Sequence, residues 1–249
     1  MTGEKNLRPF TDSKARQSIK MKLLLLLVVL GTVSAEVQDL SGKMFTFPQP
    51  TNTAHVRLNP TKQGYSAITV CHRSVTDLKR DHALFSLSTP TYDNGFLTFW
   101  QNQNQEIQSY VGTGSVAYGG WDYKPNTWHS ICTTWDSVTG LVQIWFDGKP
   151  SIRKFVHSGA ITQTVIVLLG QDQDSHGGRF DINQSFVGMM SDVHMWDYIL
   201  SPCEIQNYMN KGSFPPGNVL NWKALDFQII GNVLIENQAD CQPQCMFIG

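Results

Sequence analysis

At 249 residues the chain can bury one sizeable core, and nothing in its length demands two. Lys and Arg total 19 against 20 Asp and Glu, a formal net charge of -1 that gives no hint of a nucleic-acid partner. Charged residues are only 16% of the chain, and its wealth of Gly, Ser, Thr, Gln and Asn suits an extracellular β-protein better than a helical one.

Residues 1–20 form a polar extension. Met21-Lys22 then opens an apolar run from Leu23 to Leu30, which exits through Gly31-Thr32-Val33-Ser34-Ala35. A basic start, a short apolar stretch and a small-residue exit describe a secretory signal over 21–35, with cleavage after Ala35. The run is too short to cross a bilayer, which takes about 20 apolar residues, and no second run of that length follows. The expected product is a secreted, extracellular chain over 36–249 without a transmembrane anchor. Either Met21 is the true start, or residues 1–20 are an extended basic n-region.

From Val37 onward, short β-like runs alternate with turn signals. "YSAITV", "GFLTFW", "WHSICTTW", "LVQIWF", "TVIVLL" and "VGMMSDVHMW" are rich in β-branched and aromatic residues. Asp-Asn-Gly at 93–95 and Asp-Gly at 147–148 separate them, the latter a strong tight-hairpin signal. Many short strands at this spacing predict an all-β antiparallel sandwich. One helix is legible. Ser201 is placed as N-cap, Pro202 at the first helical position and Glu204 three residues after the cap, so a helix should run to about Met209 and stop near Gly212.

Secretion permits disulfides, and there are 5 cysteines: Cys71, Cys132, Cys203, Cys241 and Cys245. Cys71 and Cys132 both sit in β-rich runs, where a bridge would close a loop of roughly 60 residues and contribute roughly 4 kcal/mol by chain entropy. Cys241 and Cys245 are close enough to pair, or one can reach Cys203; an odd thiol remains in either case. No Cys or His spacing fits a zinc site.

The segment "GQDQDSHGGRFDINQS", residues 170–185, carries three aspartates on a glycine-broken loop that follows a buried strand. Asp172, Asp174 and Asp181 are hard oxygen donors, Gln173 and Gln184 add neutral carbonyls, and Gly177-Gly178 lets the two ends converge. Calcium takes six to eight such oxygens in flexible geometry, whereas magnesium wants stricter octahedral packing. A solvated acidic loop is the plainer alternative. The Asp93-Asn94-Gly95 turn is a second acidic point, equally consistent with an ordinary hairpin turn.

Taken together these motifs resemble the pentraxin family. Its signature, Cys-x-Ser/Thr-Trp-x-Ser/Thr, stands here as Cys132-Thr133-Thr134-Trp135-Asp136-Ser137. The family's His two places before that Cys is replaced by Ser130, with His129 one position further out. "FTFP" at Phe45, "WFDGKP", "LLGQDQDS", "DVHMWDYILSP" and "NVLNWKAL" follow the family's order across the mature chain.

The resemblance implies a jelly-roll β-sandwich of the legume-lectin kind with one short helix on one face, a Cys71–Cys132 disulfide, and two calcium ions per subunit. By position, Asp93 and Asn94 resemble ligands of the first ion. Asp172 and Asp174 resemble carboxylates shared between the ions, Gln173 offers its backbone carbonyl, and Asp181 and Gln184 complete the second site. Mammalian members carry Glu where this chain has Asp172 and Asp181, so each shorter carboxylate must bring its backbone nearer the ion or leave water between. Phe99 takes the apolar-wall position of the ligand site. Tyr110 stands where phosphocholine binders have a small Thr, and Ser115 falls near their usual acidic residue. Asn183-Gln184-Ser185 is a glycosylation sequon beside the second site.

The expectation is a lectin-like short pentraxin of innate immunity and the acute phase. It would form a cyclic homopentamer that binds phosphate-bearing ligands, similar to phosphocholine or phosphoethanolamine, or acidic carbohydrates on microbial or damaged-cell surfaces. Its opposite face would recruit complement-type effectors. Two rivals are a laminin-G-like adhesion module and a jelly-roll glycoside hydrolase. The hydrolase needs Glu-x-Asp-x-x-Glu, and the nearest run, starting Asp172-Gln173-Asp174, ends in Gly177. No enzymatic activity is expected.

Overall fold

The computed structural model describes residues 37–238. The extension at 1–20, the predicted signal at 21–35, Cys241 and Cys245 lie outside the described residues. In chain order the strands are β1 (Lys43–Phe47), β2 (His55–Leu58), β3 (Ala67–Val75), β4 (His82–Ser88), β5 (Phe96–Gln101), β6 (Glu106–Val111), β7 (Gly114–Gly119) and β8 (His129–Asp136). They continue with β9 (Leu141–Phe146), β10 (Lys149–Pro150), β11 (Lys154–Phe155), β12 (Ile166–Leu169), β13 (Gly188–Trp196), β14 (Phe227–Ile230) and β15 (Leu234–Asn237). A single α-helix is described, α1 (Pro202–Met209).

Every pairing is antiparallel. One sheet runs β10-β9-β8-β3-β13-β1-β15, with β11 also on β9; the other runs β14-β2-β12-β4-β5-β6-β7. Alternation along each strand sends one set of side chains between the sheets. Ile68 and Val70 of β3 and Trp135 of β8 meet Phe96 and Trp100 of β5 and Val167 and Leu169 of β12 in one buried cluster. The predicted all-β sandwich with one helix is the observed fold.

Local chemistry explains how the helix face closes. Asp147 and Gly148 both take positive φ, 46° and 83°, which gives the left-handed two-residue turn that joins β9 to β10. Asp147 then accepts from Ser130 N–H and from His129 Nδ1, each at 2.7 Å, so His129 is an anchor of this hairpin. Cys71 and Cys132 lie directly opposite on β3 and β8 and are joined as a disulfide.

Over that bridge sits α1. Ser201 Oγ accepts from Glu204 N–H, Glu204 accepts from Ser201 N–H at 2.7 Å, and Pro202 opens the first turn. Ile205, Tyr208 and Met209 pack on Trp145, Trp196 and the bridged cysteines. Arg73 of β3 donates to Ser130 Oγ at 2.8 Å and to the Tyr208 carbonyl at 2.6 Å, so a sheet cation satisfies the helix's last carbonyls.

Candidate functional site

The acidic segment does not stand off the edge of the sandwich. It folds back over the outer face of the seven-stranded sheet. Gly170 starts the reversal at φ 93°, and a Cβ there would run into the buried Phe47 ring, so only glycine fits. Phe186 N–H donates to the Gly170 carbonyl at 3.0 Å, which brings the two ends together as the glycine-broken sequence implied.

Gln173 is the pin. Its Oε1 accepts from Ser88 Oγ at 2.7 Å and from Gly177 N–H at 3.0 Å, and its Nε2 donates to Ser86 Oγ at 3.0 Å and the Ile166 carbonyl at 3.2 Å. Ser86 and Ser88 are the outward residues of β4, yet both are fully buried because this amide covers them. With its side chain so engaged, Gln173 has its backbone carbonyl to offer a ligand. His176 is exposed, and its Nδ1 lies 3.1 Å from Ser88 Oγ.

This fold-back puts Asp93, Asp172, Asp174 and Asp181 in one electrostatic neighbourhood. Asp172 is 5% exposed, and its carboxyl pKa is pushed up to about 7, first by burial and then by the Asp174 and Asp93 carboxylates. Asp174 is also raised, by burial and then by Asp93 and Asp181, with Arg179 opposing. Three predicted ligands, Asn94, Asp172 and Gln184, each hold a buried side-chain oxygen with no hydrogen-bond donor. Leaving such an atom unpaired costs about 1–3 kcal/mol, more when charged.

Asp181 caps the short 3-10 turn Ile182–Gln184, accepting from Asn183 N–H at 2.9 Å. Arg80 braces the same turn by donating to the Asn183 carbonyl at 2.9 Å. Neither Arg80 nor the serine pair on β4 was read from sequence. Their bonds span separations of 85 to 105 residues, and no local pattern announces such contacts.

Phe99 and Tyr110 share this outer face. Phe99 of β5 is 6% exposed and packs with Ala83 and Leu97, and Tyr110 of β6 lies half-buried against them. Phe99 is therefore the floor of an apolar patch, with Tyr110 as its raised rim. The Tyr110 hydroxyl donates to Gln108 Oε1 at 2.5 Å, and its pKa is raised by burial and then by Asp172 and Asp81. Ser115 is exposed directly across from it on β7.

The donor set fits calcium. It is made of carboxylate, amide and carbonyl oxygens, the hard ligands that ion prefers. Among the described residues no group of three or more His, Cys, Asp and Glu is placed to hold a metal by itself. A site here must use the Asn94, Gln173 and Gln184 oxygens as well, two of which are the orphaned amides just described.

Comparison with known proteins agrees with this architecture. The family model described as Pentaxin family matches residues 43–237. C-reactive protein of Cavia porcellus is 40% identical over 227 residues, covering 87% of this chain and 98% of its own length. Serum amyloid P-component of Bos taurus is 37% identical, covering 87% and 96%. The native heptameric SAP-like pentraxin from Limulus polyphemus superposes with a TM-score of 0.73 at 25% identity, over 82% of this chain and 99% of that one. With a family match across almost all the described residues and a sandwich shared with a solved member, this chain belongs to the pentraxin family.

Proposed function

We propose that the protein is a secreted, calcium-dependent recognition protein of innate immunity that binds phosphate-bearing or acidic carbohydrate surfaces without transforming them. The observation that carries this is the trio of orphaned buried oxygens on Asn94, Asp172 and Gln184, set beside carboxylates that repel one another. Asp93, Asn94, Asp172, Asp174, Asp181, Gln184 and the Gln173 carbonyl would hold two calcium ions. Bound calcium supplies concentrated positive charge with open positions for an anionic oxygen.

The chain's own residues do the rest. Gln173 fixes the loop on β4, Phe99 gives the ligand's apolar part a floor, and Tyr110 narrows the slot beside it. Ser115 brings no charge for a ligand's cation, and Tyr110 across from it crowds the bulky trimethylammonium head most, which favours acidic sugars and phosphate esters with a smaller head over phosphocholine. Family membership and the heptameric Limulus relative support a cyclic multimer, and the expected ring size is five. Repeated weak sites on one side of a ring gain avidity on a repetitive surface. Effector recruitment by the opposite face belongs to the same proposal.

The test is retention on beads bearing phosphoethanolamine, phosphocholine or acidic polysaccharide, with and without a chelator. Chelator-released binding, strongest away from phosphocholine, is expected. Equal retention in chelator on all three would contradict the proposal.

A further inference from the structure

Calcium binding leaves one motif on this face unexplained, the sequon Asn183-Gln184-Ser185. Asn183 is exposed in the 3-10 turn, two residues after Asp181 and next to Gln184. Its backbone N–H and its side-chain Nδ2 both donate to Asp181 Oδ1, at 2.9 and 3.0 Å. Arg80 holds its carbonyl at 2.9 Å, and Ser185 Oγ donates to the Ile182 carbonyl at 2.7 Å. The turn is pinned on both sides of the asparagine, so anything attached there projects from a fixed point.

We infer, resting on the calcium-binding reading of this face, that Asn183 carries an N-linked glycan that shields the second metal position and admits ligands by size. The transfer joins Asn183 Nδ2 to the anomeric carbon of a lipid-linked oligosaccharide. The amide loses one proton, and the lipid pyrophosphate leaves with the bonding electrons. One N–H remains on Nδ2, so a donor to Asp181 survives and the turn tolerates the modification. The Ser185 side chain is fully buried in the folded turn, so the transfer comes before the turn closes. A branched glycan is bulky and solvated. Rooted between two ligand residues, it stands over their side of the face. A small phosphate ester passes beneath it, and on an extended surface fewer sites engage at once.

The experiment compares full-length protein secreted from cultured animal cells before and after an endoglycosidase that leaves a single N-acetylglucosamine. Mass spectrometry should find carbohydrate on the peptide containing Asn183. Trimming should raise retention on vesicles bearing phosphoethanolamine headgroups about tenfold, as more sites engage at once, and leave the affinity for free phosphoethanolamine unchanged. An unmodified Asn183 in the secreted protein overturns the inference and leaves calcium binding untouched. A modified Asn183 whose trimming leaves vesicle retention unchanged overturns the shielding. Carbohydrate on a protein that takes up no calcium in either form overturns the reading of the face itself.

Discussion

The two outer faces of the sandwich are both covered, but only one is chemically closed. On the eight-stranded sheet, α1 seals the disulfide, and the carboxylates of Asp147, Asp192 and Glu204 each meet a donor. An atom left over there is His194 Nδ1, in a ring that burial keeps neutral by pushing its pKa down to about 3. On the seven-stranded sheet, the 170–185 loop covers β4 just as fully, yet it buries unpaired oxygens and crowds Asp172 against Asp174 and Asp93. A neutral orphan nitrogen is tolerable in a core. Orphan oxygens beside repelling carboxylates are the pattern a bound cation would relieve. Coverage alone does not separate a structural face from a candidate binding face; what separates them is whether the unpaired atoms are oxygens set beside carboxylates.

The largest expected break comes at the open face. Asp174 is exposed, so Asp174→Ala should leave the metal-free stability within about 0.5 kcal/mol of wild type, as for an ordinary surface change. Its calcium affinity should fall more than about a hundredfold, beyond what loss of an outer supporting group costs. Calorimetric titration and thermal melting separate the two effects. Unchanged affinity would remove Asp174 from the site.

The closed face should respond in stability alone. Replacing both Cys71 and Cys132 by Ala opens a bridge of sequence separation 61, and the chain-entropy account predicts a loss of roughly 4 kcal/mol. Melting should come roughly 10 °C earlier, with calcium affinity retained at temperatures where the protein stays folded.

A third test uses pH. The folded Asp172 pKa lies above its unfolded value, so its contribution is fully present below about pH 4 and lost as pH rises through about 7. In chelator, the protein should therefore lose stability across that window, by about 4 kcal/mol at most. Calcium should flatten the slope, and Asp172→Asn should remove most of it in chelator, leaving the share of the also-raised Asp174. Denaturant titrations at several pH values measure this directly. The smallest effect belongs to the helix cap: Ser201→Ala should cost about 1 kcal/mol and leave calcium uptake unchanged.

Much of this contrast was legible in the residues. The Asp-Gly hairpin and the Ser-Pro-x-Glu helix start are local signals, and both formed where they were expected. The acidic loop was legible as chemistry but not as placement. Its position depends on Gln173 reaching Ser86 and Ser88 across 85 or more residues, and amide-to-hydroxyl bonds at that range leave no periodicity. Strand β4 was unreadable for the same reason. Its Phe85-Ser86-Leu87-Ser88 alternation is only four residues long, and the burial of the two outward serines comes from a loop more than 80 residues away. The bulge that gives Asp192 a φ of 53° within β13 was equally silent.

The most direct test of the central claim is equilibrium dialysis of the chelator-stripped protein against calcium. Uptake of two ions per chain, lowered by Asp172→Asn and by Asp174→Ala alike, is the predicted result. No uptake at millimolar calcium would contradict it, and the orphaned oxygens of the seven-stranded face would then need another partner.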